Sequence, residues 1–476
     1  MIALAGAGLL LELALVSGLL LPLAAWRQPV VIATDQPLAT AFGDTVPGAL
    51  RFAAAVAVAF AAFALAVAAA RGLAGRAVIA LVLAGTLLFS LTLLPINPAG
   101  SHDIYHNVAD ARTLWRYHSN PLVLPPNAFP DDPFYPHVAA WQDFPSVYGP
   151  VWYAVSALAV PLAGDGLWAN LLGQKLITVT FLLGTTALAM LVAGRIRPGA
   201  AVTAGVLVGW NPLLLFETAG NAHNDIVMVG FALAALYAVT RRWWVAVFPL
   251  LALSVASKHV LVLLGPVLLV WMLRRPDVPR RHIALSLALG ALVGVVVYVP
   301  FFAGADMLAA FQRQSSFNTS SPSSLLHALL MAYLGLDEVE ALRVVKLAVV
   351  PLYLAAYALL LARIPTGPGL VTLVRACFWT VFLLLVIATW WFWPWYLVFL
   401  VPFGALLPGS RPALISTLFA FTAMLMYIPY FWLLDGDWLL HHALTAATAF
   451  LPPVLVALAP RLSRRAAQPI GSLAGD

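Results

Sequence analysis

Long apolar stretches recur along the whole 476-residue chain. A stretch of about 17 to 25 such residues crosses the hydrocarbon core of a bilayer as one helix. Hydrophobic residues make up 63% of the sequence and charged residues only 9%, whereas a soluble domain carries about 25% charged residues. A water-soluble fold cannot bury so much apolar surface. The sequence therefore predicts an all-α membrane protein, a polytopic helical bundle of about 12 to 14 transmembrane helices.

Fourteen apolar ranges are candidate spans, and several of them are short. They are 2–25, 50–70, 77–95, 172–194, 200–217, 226–240, 243–257, 259–273, 282–301, 340–362, 376–392, 395–409, 412–432 and 441–460. The first range has no basic leader and contains Glu12, so we expect a retained span and not a cleaved signal peptide. The expected organisation is N-terminal helices over 1–96, an extracytoplasmic loop over 97–148, a membrane core over 149–405, and C-terminal helices with a short cytoplasmic tail over 406–476.

Basic residues cluster between the spans and predict the orientation of the chain. The net charge of +6 would suggest nucleic acid for a soluble protein, but arginines between apolar spans mark the cytoplasmic side. No nucleic-acid partner is therefore expected. The clusters are Arg71/Arg76, Arg195/Arg197, Arg241/Arg242, Arg274 to Arg281, Arg363/Arg375 and Arg461 to Arg465. All of them, and both termini, are cytoplasmic if 149–163 and 323–335 dip into the outer leaflet without crossing.

This topology has a consequence for the polar segments of the chain. It brings four of them together at the outer face: 97–148, 219–225, 302–322 and 390–396. If 149–163 crosses the membrane instead, Arg195 moves to the outside and 219–225 moves to the opposite face. The first topology is the one that we expect.

The loop 97–148 contains most of the groups that are able to do chemistry. Its apolar residues recur at helical spacing and predict a helix along the membrane surface: Ile104, Val108, Ala111 and Trp115. The opposite face carries polar residues at i, i+3, i+4 and i+7: Asp103, His106, Asn107 and Asp110. Asp103 falls in the first turn, where the helix dipole favours an ionised carboxylate, and it is a candidate general base for a hydroxyl group. The alternative is a solvated helix face whose acids repel anionic lipid.

Ionisable groups also stand at the edges of later spans. Such groups are costly in a membrane and are functional candidates by default, and Glu217, His223 and Asp225 qualify. A histidine beside a carboxylate could orient an acceptor or a leaving phosphate, or it could be a hydrogen-bond clamp between helices. Lys258 lies between two apolar spans and would suit a phosphate, unless it only snorkels to the interface. Arg313, in a later outer loop, is a weaker candidate for the same role.

Two aromatic segments complete the set of candidates. Tyr148 precedes Gly149-Pro150, which predicts a tight turn that presents its ring and hydroxyl. The run Trp390 to Tyr396 is interrupted by Pro394 and offers a flat face for a sugar or a prenyl chain. The alternative for both segments is an interfacial aromatic belt.

Taken in order along the chain, these residues resemble a known family. The motifs are Asp103-Ile-Tyr, Asn120-Pro, the turn Pro145 to Pro150, Asn211-Pro followed by His223-Asn-Asp225, Lys258, and Pro394-Trp-Tyr396. Over roughly residues 75–405 the chain resembles the GT-C superfamily of integral membrane glycosyltransferases. Within it, the chain is most similar to the bacterial polyprenol-phosphate-mannose-dependent α-mannosyltransferases.

The resemblance implies a reaction and roles for the residues. The reaction is transfer of a single sugar, with mannose expected, from a polyprenyl-phosphate donor to a hydroxyl of a glycan or lipid-linked acceptor. It takes place at the extracytoplasmic face of the plasma membrane and usually inverts the anomeric carbon. Asp103 becomes the catalytic base, and Lys258 is our choice for stabilising the leaving phosphate. The residues expected to bind donor or acceptor are Tyr105, His106, Asn107, Asp110, Tyr148, Glu217, His223, Asn224, Asp225, Lys258, Arg313, Trp395 and Tyr396.

The sequence says less about cofactors and about the identity of the sugar and the acceptor than about the reaction. No cofactor and no metal ligand is predicted, and the single cysteine, Cys377, offers neither a disulfide nor a thiolate metal site. Relatives that use a monophosphate sugar donor generally do not depend on a metal, but metal dependence stays open. The chain departs from the family pattern where His106-Asn107 follow Tyr105, and this leaves the sugar and the acceptor open.

Two other functions remain as alternatives. A transporter would need ionisable groups along a pathway at mid-membrane and often shows repeated halves, whereas most acids here lie in one loop and no repeat is visible. A lipid-linked glycan ligase of another class would use the same membrane face. The sequence leaves the linkage and the oligomeric state open.

Overall fold

The computed structural model describes residues 1–26, 37–433 and 437–460. The cluster Arg461 to Arg465, which we expect on the cytoplasmic side, lies outside these ranges. The first ten helices are α1 (Ile2–Leu23), α2 (Pro37–Phe42), α3 (Val46–Ala70), α4 (Arg76–Leu93), α5 (Asp103–Trp115), α6 (Pro150–Ala163), α7 (Leu167–Ile196), α8 (Ala201–Gly209), α9 (Pro212–Gly220) and α10 (Asp225–Thr240). The next ten are α11 (Trp244–Ser257), α12 (His259–Leu273), α13 (Arg280–Phe301), α14 (Ala309–Gln314), α15 (Pro322–Leu334), α16 (Glu338–Ala362), α17 (Leu370–Ile387), α18 (Pro394–Ala405), α19 (Arg411–Trp432) and α20 (Trp438–Leu458).

The all-α membrane architecture that the sequence predicts is confirmed. Across the described ranges the β pairing consists of two isolated bridges, Ala24 with Ile96 and Thr319 with Trp391. Nine described helices are long and apolar enough to cross a membrane, and a tenth span results if the bent pair α8 and α9 is counted as one. Four expected spans form apolar helices of only 10–17 residues, namely α10, α11, α12 and α18. The number of 12 to 14 crossings therefore stays a prediction.

A broken helix in the middle of the chain positions Glu217 and the turn that follows it. The side chain of Asn211 caps α9 by accepting hydrogen bonds from two backbone N–H groups. Pro212 fits the first turn because no intrahelical N–H donor is needed there. α8 and α9 meet at an angle of 49°. α9 ends in a π-helical turn, Phe216–Gly220, a distortion that is frequent at functional sites.

The helix predicted in the first loop forms. α5 begins at Asp103, and all residues from Ile104 to Thr113 are buried. This burial excludes the alternative of a solvated helix face, whereas the position of α5 along the membrane surface stays a prediction. α5 packs against α6 and α7, and the rest of the loop folds over it in three short 3₁₀ turns, Pro126–Ala128, Tyr135–His137 and Ala139–Trp141.

A buried arginine ties this loop to the bundle. Arg112, which is 1% exposed, donates from Nε to both carboxylate oxygens of Asp132 at 2.9 and 3.0 Å. It also donates to Asp165 at 2.7 Å and to the carbonyl of Gly164 at 2.9 Å. Tyr117 adds a hydrogen bond to Asp132 at 2.8 Å. The planar guanidinium thus joins α5, the loop and the turn before α7 through three separate nitrogen donors, which lysine cannot reproduce.

The structure brings together the four segments that we expect at one face. We call them the site segments: 97–148, 219–225, 302–322 and 390–396. The backbone N–H groups of Ala99 and Gly100 donate to Asn221. Thr319 and Trp390 pair through the backbone at 2.9 Å. Of the two expected dips, α6 packs against α5, and α15 begins at Pro322, where the segment 302–322 ends.

One glycine is required where Tyr148 approaches α11. The Gly149 N–H donates to the carbonyl of Ser257 at 3.0 Å. A Cβ at residue 149 would lie 2.0 Å from the carbonyl oxygen of Ala256, which is far inside van der Waals contact. The absence of a side chain therefore lets the Tyr148 turn lie directly beside Lys258.

Candidate active site

A cavity of about 530 Å³ opens where the site segments meet. Six predicted residues line it: Asp103, His106, Tyr148, Lys258, Trp395 and Tyr396. Much of the remaining wall is aromatic, with Trp141, Phe144, Phe317, Trp391, Trp393, Tyr430 and Phe431. The cavity thus combines a few charged groups with a large apolar surface, as ligand sites usually do.

Asp103 lies at the first position of α5 and points into this cavity. Its side chain is 18% exposed, and its backbone N–H donates to the Ser101 hydroxyl at 2.9 Å. The hydroxyl of Tyr148 lies 3.4 Å from Asp103 Oδ2. The pKa of Tyr148 is raised well above its usual value, mainly by burial and in addition by the charge of Asp103. This hydroxyl therefore stays protonated. The carboxylate of Asp103 remains accessible to a ligand in the cavity.

His223 lies between two carboxylates in the turn that joins α9 to α10. Its Nδ1 is 3.9 Å from Asp103 Oδ2, and its Nε2 is 3.4 Å from Glu217 Oε2. The ring stacks on Trp395 with centroids 4.1 Å apart and an angle of 13°. The pKa of His223 is lowered well below its usual value, mainly by burial and in addition by the charge of Lys258. His223 is therefore a neutral imidazole held in one orientation behind the cavity wall.

Glu217 links this histidine to the start of the first loop. It is fully buried, and its carboxylate accepts hydrogen bonds from Tyr427 at 2.8 Å and from Asn221 at 3.0 Å. The side-chain oxygen of Asn221 in turn accepts from the N–H groups of Ala99 and Gly100 at 3.0 and 3.2 Å. The π-turn of α9 thus fixes the backbone that leads into Asp103.

Lys258 forms the cationic side of the cavity. Its Nζ donates to Asp225 Oδ1 at 2.8 Å and lies 5.2 and 5.5 Å from the ring centroids of Tyr148 and Tyr396. Lys258 is 9% exposed and Asp225 is fully buried, so the ammonium group does not snorkel away from the protein. The second oxygen of Asp225 is buried without a hydrogen-bond partner. The pair therefore keeps a desolvated positive charge at the cavity.

The remaining polar residues of α5 lie at or below the cavity floor. His106 Nε2 is 3.0 Å from the carbonyl of Phe144 and 3.7 Å from Asp110. Asp110 is 2% exposed, and its burial raises its pKa to about 6 against the opposing effect of His106. Asn107 accepts a hydrogen bond from the indole N–H of Trp152 at 3.1 Å. Tyr105 packs in a small apolar cluster below the loop. Of these residues, only His106 lines the cavity.

The last predicted residues occupy different positions. Trp395 stacks on Trp393 as well as on His223, and Tyr396 stands next to Lys258, so both line the cavity as wall residues. Asn224 is buried directly before α10 and does not line the cavity. Arg313 also lies outside the lining; it donates to the carbonyl of Asp143 at 2.9 Å and covers the ring of Phe144.

Several site residues are missing from the sequence-based set. Tyr427 lies about two hundred residues after Glu217 in the sequence, within α19, and no local pattern indicates their contact. Trp141, Phe144 and Phe317 belong to loops whose folding brings them together in edge-on and tilted ring pairs. Asn221 belongs to the segment 219–225, and its polar side chain one helical turn after Glu217 is a sequence signal for this contact. The described residues contain no group of three His, Cys, Asp or Glu side chains that could hold a metal ion.

The described part of the chain forms an integral membrane helical bundle in which the first-loop helix α5 places Asp103 at an aromatic cavity. The family model described as Alpha-(1->6)-mannopyranosyltransferase, N-terminal domain, matches residues 2–274. The match takes in more than half of the chain, and the chain belongs to this family. The matched part includes Asp103, His223 and Lys258, whereas Trp395 and Tyr396 follow it.

Two curated relatives and one solved structure give the extent of the likeness. The chain is 26% identical over 296 residues to Alpha-(1->6)-mannopyranosyltransferase A of Mycobacterium tuberculosis, which is 58% of this chain and 56% of the relative. It is 28% identical over 150 residues to Alpha-(1->6)-mannopyranosyltransferase B of Corynebacterium glutamicum, 29% of this chain and 23% of the relative. The chain thus spans about half or less of the length of these relatives. ArnT from Cupriavidus metallidurans, crystallised with undecaprenyl phosphate, is similar with a TM-score of 0.46 and 15% identity over 80% of this chain and 77% of ArnT.

Proposed function

We propose that this protein transfers one mannose from a polyprenyl-phosphate donor to a hydroxyl of a glycan or glycolipid acceptor at the outer face of the plasma membrane. The observation that carries the proposal is the placement of the Asp103 carboxylate and the Lys258 ammonium on one cavity. Family membership favours a mannosyl group, and the apolar setting favours a lipid-linked donor.

In the proposed reaction, Asp103 accepts the proton of the acceptor hydroxyl as its oxygen attacks the anomeric carbon. The bond between that carbon and the phosphate oxygen breaks, and the phosphate leaves with the electron pair. The hydroxyl of Tyr148, 3.4 Å from Asp103, holds the carboxylate in position. Proton transfer by a positioned group of this kind contributes about 10² to 10⁴ in rate.

Lys258 is the group proposed to stabilise the negative charge that develops on the leaving phosphate. Its ammonium is already oriented by Asp225 at 2.8 Å, so little reorganisation is required when the charge forms. The tyrosine rings on either side exclude water and strengthen the electrostatic interaction. The flat surfaces of Trp393 and Trp395 would hold the sugar or the first prenyl units.

The test is transfer of radiolabelled mannose from polyprenyl-phosphate-mannose to a membrane glycolipid extract by the purified protein. We expect Asp103→Asn to lower the rate by at least about 10², with an unchanged thermal unfolding temperature. The matched control is Asp131→Asn, which removes an exposed carboxylate from the same loop and should leave the rate unchanged. Equal transfer by wild type and Asp103→Asn would reject Asp103 as the base.

The two alternative functions predict other results in the same experiment. A transporter would move the lipid-linked sugar across a vesicle membrane without forming a mannosylated product. A ligase of another class would be inactive with the single-sugar donor but would transfer a preassembled glycan from a lipid. Wild-type protein that forms no mannosylated product would contradict the proposed donor.

A further inference from the structure

A second large cavity lies at the opposite end of the bundle from Asp103. Its volume is about 1270 Å³, and it is built from the start of α19 at Arg411 to Leu414 and the ends of α3 and α7. The first cavity contacts the other end of α19 at Tyr430 and Phe431. α19 has 22 residues, which corresponds to about 30 Å of helix and to the thickness of the hydrocarbon core. The two cavities therefore face opposite sides of the membrane.

Four arginines from four separate elements line this second cavity. Arg71 follows α3, Arg197 follows α7, Arg375 lies in the second turn of α17, and Arg411 begins α19. No Asp or Glu stands among the lining residues that the structure describes. None of the four arginines forms an ion pair with a described carboxylate. The cavity thus carries four positive charges without compensation from the part of the chain that is described.

Two of the arginines are engaged with the backbone and two are available. Arg197 donates to the carbonyl of Pro408 at 3.0 Å, and Arg411 donates to the carbonyls of Val456 and Ala459. These bonds hold the cavity walls together. The side chains of Arg71 and Arg375 are exposed, and their guanidinium groups make no hydrogen bond with a described residue. Their guanidinium groups are therefore free to meet a ligand.

The walls between the arginines are mostly apolar, and this distinguishes the cavity from an ordinary cytoplasmic basic cluster. Phe63, Val67, Leu207, Trp379 and Leu414 line it together with the arginines. The tendency of arginines to stay on the cytoplasmic side explains their presence at this face. It does not explain why four of them, from elements far apart in sequence, surround one apolar cavity without an acid.

We propose that this cavity binds the phosphate headgroup of an anionic membrane lipid, with the acyl chains against the apolar wall. Basic pockets between membrane helices on the cytoplasmic side are recognised as sites for anionic lipid headgroups. Guanidinium groups match phosphate oxygens through paired N–H donors. The inference is independent of the proposed transfer reaction, because it concerns the other membrane face.

The experiment measures lipid retention by native mass spectrometry of the purified full chain in mild detergent. The protein is incubated with an equimolar mixture of phosphatidylglycerol and phosphatidylcholine. We expect the wild type to retain phosphatidylglycerol preferentially and Arg71→Gln/Arg375→Gln to retain about tenfold less. The matched control is Arg280→Gln/Arg281→Gln. It removes the same charge from two exposed arginines at the same end of the bundle. The two ends coincide because the loop before Arg280 is bonded to the loop before α17: the N–H of Gly367 donates to the carbonyl of Arg274.

Each other result overturns the proposal. Equal retention of the two lipids would mean that the cavity does not recognise the anionic headgroup. An equal loss in the control variant would reduce the effect to general surface charge. In a separate arm, inorganic phosphate alone is added and thermal unfolding is followed. Stabilisation by phosphate that equals the effect of phosphatidylglycerol would assign the site to a free anion instead of a lipid. The single variants Arg71→Gln and Arg375→Gln provide the same comparison if the double variant does not fold.

Discussion

Asp103, which lines the cavity, and Asp225, which is bonded to Lys258 of the lining, differ in ways that suit different tasks. Asp103 is partly exposed, and its nearest polar neighbours are a tyrosine hydroxyl and a neutral imidazole, so it can accept a proton from a ligand. Asp225 is fully buried and is already bonded to Lys258. Its role follows from that bond: it fixes the direction of the ammonium group towards the cavity. A base needs access to the substrate, and an orienting group needs a fixed partner.

The Lys258–Asp225 pair allows the structural and chemical roles of Lys258 to be separated. Lys258→Met leaves Asp225 buried and unpaired, which should cost about 3 to 5 kcal/mol of unfolding free energy. Lys258→Met/Asp225→Asn removes both charges and should recover most of that stability. If Lys258 stabilises the leaving phosphate, mannosyl transfer stays low in the double variant although the protein is folded. Thermal unfolding and the transfer assay on the same preparations provide both readouts. Recovery of transfer together with stability would assign Lys258 a purely structural role.

The raised pKa of Asp110 predicts that the folded protein loses stability as the pH rises. Burial raises its pKa from 3.8 to about 6, so the folded protein binds a proton more tightly than the unfolded chain does. Ionisation of Asp110 therefore costs stability as the pH rises from about 4 to about 6, and the full cost is about 3 kcal/mol above that range. Asp110→Asn removes this dependence. We expect the stability difference between Asp110→Asn and wild type to grow by about this amount between pH 4 and pH 7. A difference that does not change with pH would contradict the raised pKa.

At the scale of elements, α5 shows how far the sequence predicts the site. Helical spacing and the acidic first turn indicate a helix with Asp103 at its start, and this helix forms. Its burial on both faces was not predictable from spacing, because it depends on the return of residues 116–148 over the helix. The contact of Glu217 with Tyr427 was equally hidden, since it joins helices distant in sequence. Local patterns predict elements, whereas the site depends on how loops and distant helices pack.

The Arg112 network makes this loop an element that can be tested separately. Arg112→Met leaves the buried carboxylate of Asp132 without its partner and should destabilise the loop by about 3 to 5 kcal/mol. Arg116→Met is the matched control, because Arg116 is 45% exposed at its contact with Asp165 and exposed pairs contribute only about 0 to 1 kcal/mol. Limited proteolysis should cut within residues 116–148 in the first variant well before the second. Equal protection of both would show that the loop is held by other contacts.

At the scale of the whole molecule, the two ends of the helical bundle differ in charge and chemistry. One end gathers the site segments around a cavity with Asp103 and Lys258. The other gathers Arg71, Arg197, Arg375 and Arg411 around an apolar cavity without acids among its described lining. Since arginines accumulate on the cytoplasmic side, the separation of these ends supports an outward-facing site. An outward-facing site also requires that α6 and α15 enter the membrane without crossing it.

This orientation can be measured directly because the chain has a single cysteine. Cys377 is buried in α17, so it should not react with a thiol reagent in the folded protein. Asn127→Cys places a thiol at an exposed position of the first loop, and Arg281→Cys places one at the basic end of the bundle. In intact cells, a membrane-impermeant maleimide should label Asn127→Cys at once and Arg281→Cys only after lysis. The reverse pattern would turn the whole bundle around and place both the Asp103 cavity and its proposed donor on the cytoplasmic side. Labelling of both variants in intact cells would mean that a helix between residues 127 and 281 crosses where the proposed topology has it dip.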